Sequence, residues 1–231
     1  MEFSIAATMV VKNEEDILPF VLSNTLDQVD ALYIIDNNSV DNTKDVISSF
    51  GKRITFYDCK KEHYNHKEWM TSLANMAIKD GFDWVVPIDA DEMWSNLSCL
   101  RNAQCNLFVI EIIKNHMFTN YTGPFHPSKM PYYKEEETLR NAFRSPTPVE
   151  ITEGSHHIKG IGLIGETQEV ITIDHYPFRS EAQYFRKVVE GADAMITRNT
   201  SPEEAHHWKS LAQNLDKFKI HTGFRKMVKL L

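Results

Sequence analysis

The first half of the chain alternates short apolar runs with amphipathic segments. The apolar runs are bounded by polar clusters and predict buried strands at Ile5–Val11, Leu32–Ile35, Ile54–Tyr57, Trp84–Ile88 and Leu107–Ile113. Between them, apolar residues recur at helical spacing in segments 15–29, 41–51 and 66–81. Strands that alternate with helices imply crossover connections. The pattern therefore predicts an α/β fold with a mostly parallel central sheet flanked by helices.

Local signals predict where the helices begin and end. Pro19 fits only the first turn of a helix, so the first helix is expected to begin near Asp16. Asp41–Thr43 supplies capping side chains for the second helix, and Gly51 ends it. The third helix is expected to begin near His66.

The second half of the chain has a weaker pattern. From about Thr119 to Thr172, prolines, glycines and aromatic residues interrupt the apolar runs, which predicts long loops with a few short strands. From Ser180 onward the pattern is helical again, with capping patterns at Ser180 and Ser201. We therefore expect one domain over residues 1–178, divided into 1–113 and 114–178, and C-terminal helices over residues 179–231 packed on it.

Three polar groups directly follow predicted strands. They are Lys12-Asn13-Glu14, Asp36-Asn37-Asn38 and Asp89-Ala90-Asp91-Glu92. In parallel α/β sheets, ligands lie outside the carboxyl ends of the strands. Two carboxylates two residues apart can hold one hard cation there, and Mg²⁺ or Mn²⁺ prefers carboxylate and phosphate oxygens. The pattern predicts such a cation site, although a bare Asp-x-Asp triplet is more often a solvated strand end.

The order and spacing of these groups resemble glycosyltransferase family 2, whose members have the GT-A fold, a Rossmann-like α/β fold. The matching pieces are Val10–Glu14, Ile35–Thr43 and Ile88–Glu92. The Asp-Ala-Asp-Glu version, with a late His-Tyr-Pro-Phe-Arg-Ser at residues 175–180, is most similar to a less-studied branch of that family. The resemblance implies metal-dependent transfer of a sugar from a nucleoside diphosphate sugar to a hydroxyl of a saccharide, lipid-linked or protein acceptor.

The resemblance also implies roles for individual residues. Asp36 would contact the base, with uridine as the first guess, Asp89 the ribose, and Asp91 the Mn²⁺ or Mg²⁺ that bridges the diphosphate. The other donor-side candidates, expected to lie along the nucleotide, are Val11, Asn13, Glu14 and Asn38. Residues 1–113 would then form the nucleotide-binding half, and residues 114–178 the acceptor side.

The chain departs from the family on the acceptor side. It has no clear Glu-Asp acid pair of the kind that many inverting members carry, and no Gln-x-x-Arg-Trp of processive polysaccharide synthases. The candidate catalytic residues are Asp91, Glu166 and His156. A general base must lie within hydrogen-bond reach of the acceptor hydroxyl, and Glu166 and His156 are the candidates on that side. Glu111, Glu150 and Glu153 are further acidic candidates, each of which is more often a solvated carboxylate.

His175 is predicted to complete the metal site together with Asp91. The triplet Ile171–Ile173 predicts a short strand, and Asp174-His175-Tyr176-Pro177 follows it at the strand end. An imidazole together with carboxylate and diphosphate oxygens is a chemically reasonable shell for Mn²⁺. In the alternative interpretation, His175 only holds the loop near Arg179 by a hydrogen bond.

Composition and charge narrow the choice of function. The 231 residues carry a formal net charge of −7, which argues against general nucleic-acid binding. Three cysteines without metal-type spacing favour a reducing compartment, and the apolar N-terminal run is not a signal peptide. No segment approaches the roughly 18 apolar residues of a spanning helix, so a cytoplasmic protein is expected. A basic C-terminal segment predicts weak contact with a membrane surface or a partner; its cations are Lys217, Lys219, Arg225, Lys226 and Lys229.

Two other functions stay open. A nucleotidyltransferase on a related fold usually carries a glycine-rich, basic loop after the first strand, where this chain has Lys12-Asn13-Glu14-Glu15. A catalytically decayed protein that only binds a glycan or a partner is the other, and the presence of both Asp89 and Asp91 argues against it. A nicotinamide-dependent dehydrogenase is disfavoured because the chain lacks G-x-G-x-x-G.

Overall fold

A computed structural model describes residues 2–60, 65–117, 123–160, 162, 165–167 and 170–197. The α-helices in this part of the chain are α1 (Leu18–Leu26), α2 (Thr43–Ser49), α3 (His66–Lys79) and α4 (Glu181–Thr197). The strands are β1 (Ile5–Val11), β2 (Ala31–Asn37), β3 (Ile54–Cys59), β4 (Trp84–Pro87), β5 (Glu92–Ser95), β6 (Leu107–His116), β7 (Tyr133–Phe143), β8 (Glu150–Ile151), β9 (Ile158–Lys159), β10 (Gly165–Thr167) and β11 (Thr172–His175). Short 3-10 helices lie at Leu97–Asn102, Pro127–Lys129 and Glu153–Ser155.

The sheet confirms the predicted α/β fold with a mostly parallel central sheet flanked by helices. Its strand order is β3-β2-β1-β4-β7-β6-β11-β5, and β10 also pairs with β6. The neighbours β3, β2, β1 and β4 are parallel, whereas β7 is antiparallel to β4 and β5 is antiparallel to β11. The carboxyl ends of β1, β2 and β4 therefore meet at one edge, which is where ligands of such sheets bind.

The chain forms two compact units. The larger comprises Met1–Lys61, Asn65–Asn115 and Glu135–His175, and it holds every predicted site residue. The smaller comprises Glu62–Tyr64, His116–Lys134 and Tyr176–Leu231. Within the smaller unit, the Oγ of Ser180 accepts a hydrogen bond from the N–H of Gln183 at 3.0 Å. This bond confirms the predicted cap at the start of α4.

Helices α1 and α3 bury one apolar side each. Helix α3 contacts β1 and β4, and helix α1 contacts β5 and α2. Burial of the apolar side chains on these two helices holds the helices on the larger unit. The buried apolar residues of α1 and α3 are Leu18, Val21, Leu22, Leu26, Trp69, Met70, Leu73, Ala74 and Ala77.

The predicted helix ends are confirmed within a few residues. Helix α1 begins at Leu18 rather than near Asp16, because a turn comes first in which the N–H of Leu18 donates to the carbonyl of Glu14 at 2.9 Å. Before α2, the Oδ1 of Asp41 accepts from the N–H of Thr43 at 3.0 Å, whereas Asn42 at the N-cap position makes no side-chain cap bond. Gly51 follows α2 with φ +84°, a conformation that glycine adopts without strain.

Two strands were not predicted. The expectation of long loops between Thr119 and Thr172 is wrong for Tyr133–Phe143, which is a full strand. Its first half is charged and exposed, and its buried half begins with Arg140 and Asn141, so the apolar pattern of a strand is absent. Strand Glu92–Ser95 was missed because it is short and follows the turn after β4 directly.

No helix in the described ranges is long and apolar enough to cross a membrane. The predicted basic C-terminal segment and the capping pattern at Ser201 lie outside the described residues.

Candidate active site

The loops that follow β1 and β2 are joined to each other by hydrogen bonds. The Oγ of Ser39 accepts from the N–H of Asn13 at 2.9 Å, and the Oδ1 of Asn13 accepts from the N–H of Val40 at 2.8 Å. The Oγ1 of Thr43 accepts from the N–H of Glu14 at 2.9 Å. We call this set of bonds the loop clamp. It fixes the backbone at the carboxyl edge of β1 and β2.

The clamp accounts for several of the predicted donor-side residues. Asn13 has φ +53° and Asn38 has φ +55°, in the left-handed region that asparagine tolerates better than most residues. Asn13 and Glu14 are buried, while Asn38 is exposed. Val11 is buried at the end of β1, opposite Asp36 in the register. The side chain of Asn13 thus holds the two loops together at the carboxyl edge of β1 and β2.

Removal of one hydroxyl should loosen the clamp. Ser39→Ala deletes the acceptor of the buried Asn13 N–H, so we expect a loss of about 1–2 kcal/mol in the free energy of unfolding. The measurement is urea denaturation monitored by the intrinsic fluorescence of the protein. The control is Ser48→Ala on α2, where the exposed hydroxyl donates to the carbonyl of Lys44 and a change within about 0.5 kcal/mol is expected. Equal effects of the two substitutions would contradict the clamp.

Asp36 is a fully buried carboxylate near the end of β2. Its Oδ1 accepts from the N–H of Ser39 at 2.8 Å and lies 3.6 Å from the Nζ of Lys44. Its Oδ2 is buried without a hydrogen-bond partner among the described residues. A buried acceptor without a donor costs free energy, so a ligand that brings an N–H to Oδ2 would recover it. Because Oδ2 is enclosed by protein, a ligand donor would reach it only after neighbouring groups move aside.

Asp89 lies in the turn between β4 and β5. The N–H of Glu92 donates to the carbonyl of Asp89 at 3.0 Å, which closes the turn. The Oδ2 of Asp89 accepts from Arg140 at 3.0 Å, and its Oδ1 lies 3.9 Å from the Nε2 of His66. The Asp89 side chain is 28% exposed, so its carboxylate is held on one side and accessible to a ligand.

Arg140 and Glu92 form a buried ion pair beneath this turn. The Nε and Nη2 of Arg140 lie 2.8 and 2.7 Å from the Oε1 of Glu92, and Trp94 donates to the Oε2 at 3.0 Å. Burial raises the pKa of the Glu92 carboxyl, and the Arg140 guanidinium opposes that shift. Burial lowers the pKa of Arg140, but the charges of Glu92 and Asp89 outweigh it and leave the pKa raised. Arg140 thus remains a cation and anchors the turn Asp89-Ala90-Asp91, which we call the acidic turn.

His175 ends strand β11 with its ring directed at Asp91. Its Nε2 lies 3.4 Å from the Oδ1 of Asp91, which is buried. Its Nδ1 lies 2.5 Å from the Oδ1 of Asn115 on β6. Strand β11 pairs with β5 through His175 and Glu92, so the end of β11 lies beside the acidic turn. The structure therefore brings together the two side chains predicted to bind a metal.

The donor set at Asp91 and His175 fits a divalent cation. Ligands about 2.1 Å from an octahedral cation lie about 3 Å from each other, close to the separation seen here. No group of three or more histidine, cysteine, aspartate or glutamate side chains that could hold a metal occurs in the part of the chain that the structure describes. Two protein ligands with diphosphate oxygens and water would make up the shell of Mg²⁺ or Mn²⁺, which usually keeps several non-protein ligands.

Glu166 lies far along the sheet from this pair. It stands opposite Phe108 on β6, whereas His175 stands opposite Asn115, which is seven residues later on the same strand. At about 3.3 Å per residue, the two positions are about 23 Å apart. The catalytic role of Glu166 stays a prediction.

His156 lies next to Arg140. Its Nδ1 is 3.0 Å from the Nη1 of Arg140 and 3.1 Å from the carbonyl oxygen of Leu139. Its ring packs closely on Gly154, where an added Cβ would lie 2.7 Å from the Nε2 of the histidine. His156 thus contacts the network behind Asp89, and its catalytic role stays a prediction.

The other acidic candidates lie on exposed or partly exposed segments. Glu150 pairs with Lys67 at 2.8 Å and with Lys159 at 3.4 Å, which is a surface ion-pair arrangement. Glu111 is exposed on β6, and Glu153 lies in a short 3-10 helix. Neither Glu150 nor Glu111 takes part in the network around Asp89 that is described above.

Sequence reasoning missed Arg140 and Asn115 and gave Glu92 no role. Arg140 lay in a segment predicted to be loop, and Asn115 lay just beyond the predicted fifth strand. Neither belongs to a motif with a characteristic spacing. The one available signal was Arg140-Asn141-Ala142-Phe143, where polar residues lead into an apolar pair, and that signal is weak.

Residues 7–102 match the family model described as "Glycosyl transferase family 2". This segment includes the loop clamp, Asp36 and the acidic turn, whereas Asn115, Arg140 and His175 lie outside it. The chain is thus similar to glycosyltransferases of family 2, and the match supports a glycosyltransferase.

A curated relative is a TPR repeat-containing protein of Synechococcus elongatus, 29% identical over 92 residues. The match covers 38% of this chain and only 20% of that protein. Among solved structures, Staphylococcus aureus TarS 1–349 gives a TM-score of 0.47 at 11% identity, over 89% of this chain and 68% of that one. The mannosyltransferase PcManGT of Pyrobaculum calidifontis, solved with GDP-Man and Mn²⁺, gives 0.49 at 12% identity, over 90% and 69%. A TarS chain solved with UDP is covered to 38% of its length.

Proposed function

We propose that the chain transfers a sugar from a nucleoside diphosphate sugar, with UDP as the first choice of nucleotide, to an acceptor hydroxyl. The observation that carries the proposal is the approach of His175 to Asp91 in the turn after a parallel strand. The acceptor is a hydroxyl of a saccharide, lipid-linked or protein molecule, and the site of action is the cytoplasm or the cytoplasmic membrane surface.

Asp36 would recognise the base. Its buried Oδ2 needs a donor, and the N3–H of uracil is a donor flanked by two carbonyls. The N3 of cytosine is an acceptor and would repel the carboxylate. We therefore expect UDP to bind more tightly than CDP, with Asp36 as the residue that discriminates.

Asp89, Asp91 and His175 would hold the rest of the donor. The Oδ2 of Asp89 is held by Arg140, so its other oxygen can accept from a ribose hydroxyl. Asp91 and His175 would hold Mn²⁺ or Mg²⁺ through Oδ1 and Nε2. A cation bound there supplies charge stabilisation for the leaving diphosphate. Arg140 keeps the carboxylates of the turn in place beneath it.

The proposal is tested by ligand-dependent thermal stability. UDP with Mn²⁺ should raise the melting temperature more than CDP with Mn²⁺ at the same concentration, because the tighter ligand is present at a higher multiple of its Kd. A ligand at about 100 times its Kd stabilises the native state by about 2.7 kcal/mol. Asp36→Asn replaces the acceptor by an amide, and we expect it to weaken UDP binding by about 10- to 100-fold. Titration calorimetry measures the change.

The matched control is Asp58→Asn on β3. Asp58 faces Asp36 in the register of β2 and β3 and also pairs with Lys44, at 2.9 Å. Its replacement removes the same charge beside the same lysine but leaves Oδ2 of Asp36 intact, so UDP affinity should stay within about threefold of the unmodified protein. Equal losses in both variants, or no stabilisation by any nucleoside diphosphate, would refute the proposed donor site.

A further inference from the structure

Four polar side chains form a row across neighbouring strands of the sheet. Glu92 on β5 lies opposite His175 on β11, and His175 lies opposite Asn115 on β6. Glu136 on β7, the strand next to β6, completes the row through a hydrogen bond to Asn115. We call this set the polar row. It joins the proposed metal ligand His175 to two residues that no motif of the sequence includes.

The hydrogen bonds of Asn115 have only one consistent direction. An ionised carboxylate accepts hydrogen bonds and cannot donate them, so the amide NH₂ of Asn115 faces the Oε2 of Glu136. The carbonyl Oδ1 of Asn115 then faces the Nδ1 of His175 at 2.5 Å. A carbonyl oxygen also only accepts, so Nδ1 must carry the proton.

The direction of these hydrogen bonds determines whether the imidazole nitrogen that faces Asp91 carries a proton. In a neutral imidazole with a proton on Nδ1, Nε2 carries the lone pair. Nε2 is the atom that lies 3.4 Å from the Oδ1 of Asp91. In the protonated ring, Nε2–H would donate to Asp91, whereas in the neutral ring two acceptors face each other and a cation between them relieves their repulsion. The polar row therefore presents the neutral ring of His175 in the form that binds a metal.

We propose that Asn115 is a positioning residue that holds His175 in the Nδ1–H tautomer, with Nε2 directed at Asp91, and that Glu136 orients Asn115 in turn. Partners behind a metal-ligating histidine set its tautomer and ring orientation, and their loss typically lowers metal affinity by about 10- to 100-fold. The proposal rests on the proposed function only where it concerns the metal. The tautomer of His175 is a property of the metal-free protein.

The first test reads that tautomer directly. Long-range ¹H–¹⁵N NMR of the full chain labelled with ¹⁵N-histidine, in alkaline buffer without metal, distinguishes Nδ1–H from Nε2–H rings. His175→Ala assigns the resonance. We expect the Nδ1–H form in the unmodified protein and a shift toward Nε2–H in Asn115→Leu, which has a similar size but no acceptor. Asn115→Asp combined with Glu136→Gln keeps an acceptor oxygen toward His175 and an N–H between the two side chains, and should keep the Nδ1–H form.

The second test measures Mn²⁺ binding in the presence of UDP, by the EPR signal of unbound Mn²⁺. Asn115→Leu should weaken Mn²⁺ binding by about 10- to 100-fold, and Asn115→Asp combined with Glu136→Gln should keep most of the affinity. Asn106→Leu is the matched control, since Asn106 precedes β6 and donates to the carbonyl of Gly162 instead. Thermal unfolding without metal checks that Asn115→Leu folds.

The outcomes separate this inference from the proposed function. An Nε2–H ring in the unmodified protein, or an unchanged tautomer in Asn115→Leu, overturns the role of Asn115. An Nδ1–H ring that Asn115→Leu loses supports it, even if the protein binds no Mn²⁺ with UDP, which would count against the proposed function alone. Mn²⁺ affinity that is equal in Asn115→Leu and Asn106→Leu overturns the link from Asn115 to the metal.

Discussion

Replacement of Asp91 by asparagine is expected to lower sugar transfer by about 100- to 1000-fold and to remove the effect of Mn²⁺ on UDP binding. The carboxylate of Asp91 faces the Nε2 of His175 at 3.4 Å and would supply the anionic oxygen of the proposed cation site. Loss of that negative charge weakens cation binding and so removes several kcal/mol of stabilisation from the leaving diphosphate. About 1.4 kcal/mol corresponds to a tenfold change in rate. The measurements are UDP release from a UDP-sugar and UDP titrations with and without Mn²⁺.

The control for this substitution is Asp45→Asn on the exposed side of α2. It removes one negative charge at a position away from the turn. The rate and the effect of Mn²⁺ should both stay within about twofold of the unmodified protein. If Asp91→Asn keeps the metal requirement of the unmodified protein, or if a chelator leaves transfer unchanged, the cation site is not at Asp91.

Arg140→Met is expected to cause the largest loss of stability, about 3–5 kcal/mol in the free energy of unfolding. The guanidinium is buried against Glu92 and Asp89, and its removal leaves the fully buried Glu92 carboxylate without its counter-charge. Methionine has a similar length, so the loss of charge rather than of volume should dominate. Urea denaturation measures the difference, and UDP binding in the folded fraction should also weaken because Asp89 loses its support.

Arg101→Met provides the comparison at the surface. Arg101 makes two contacts with the partly exposed Asp30, at 2.9 and 3.0 Å, and surface pairs of this kind contribute about 0–1 kcal/mol. A double variant, Arg140→Met with Glu92→Gln, should recover part of the loss, since it no longer buries an unpaired charge. An Arg140→Met variant that loses no more stability than Arg101→Met would contradict the buried ion pair.

Local patterns in the sequence were sufficient to predict the parallel strands of the sheet. The runs at Ile5–Val11 and Trp84–Ile88 are apolar without interruption, which is typical of strands buried on both faces, and they form β1 and β4. Because ligands bind at the carboxyl edge of such strands, the sequence also indicated that Asp36 and the acidic turn lie at one edge. The structure places both there.

The strands in the second half of the chain could not be predicted from local patterns. Strand β7 begins at Tyr133, continues with the charged run Lys134–Glu137 and buries Arg140 and Asn141, so its sequence carries no strand periodicity. Its position follows from pairing with β4 and β6, which are distant in sequence. A cross-strand partner is set by register and burial, and a local pattern does not contain that information.

The sequence alone therefore determined the α/β class, the parallel strands, and the carboxylates Asp36, Asp89 and Asp91 at their ends, since each depends on neighbours within a few residues. Only the tertiary structure decided that Arg140 neutralises the acidic turn, that Asn115 bonds His175, and that Glu166 stands far along the sheet. The physical reason is that an ion pair or a hydrogen bond forms between any two groups that folding brings within about 3 Å, whatever their separation along the chain.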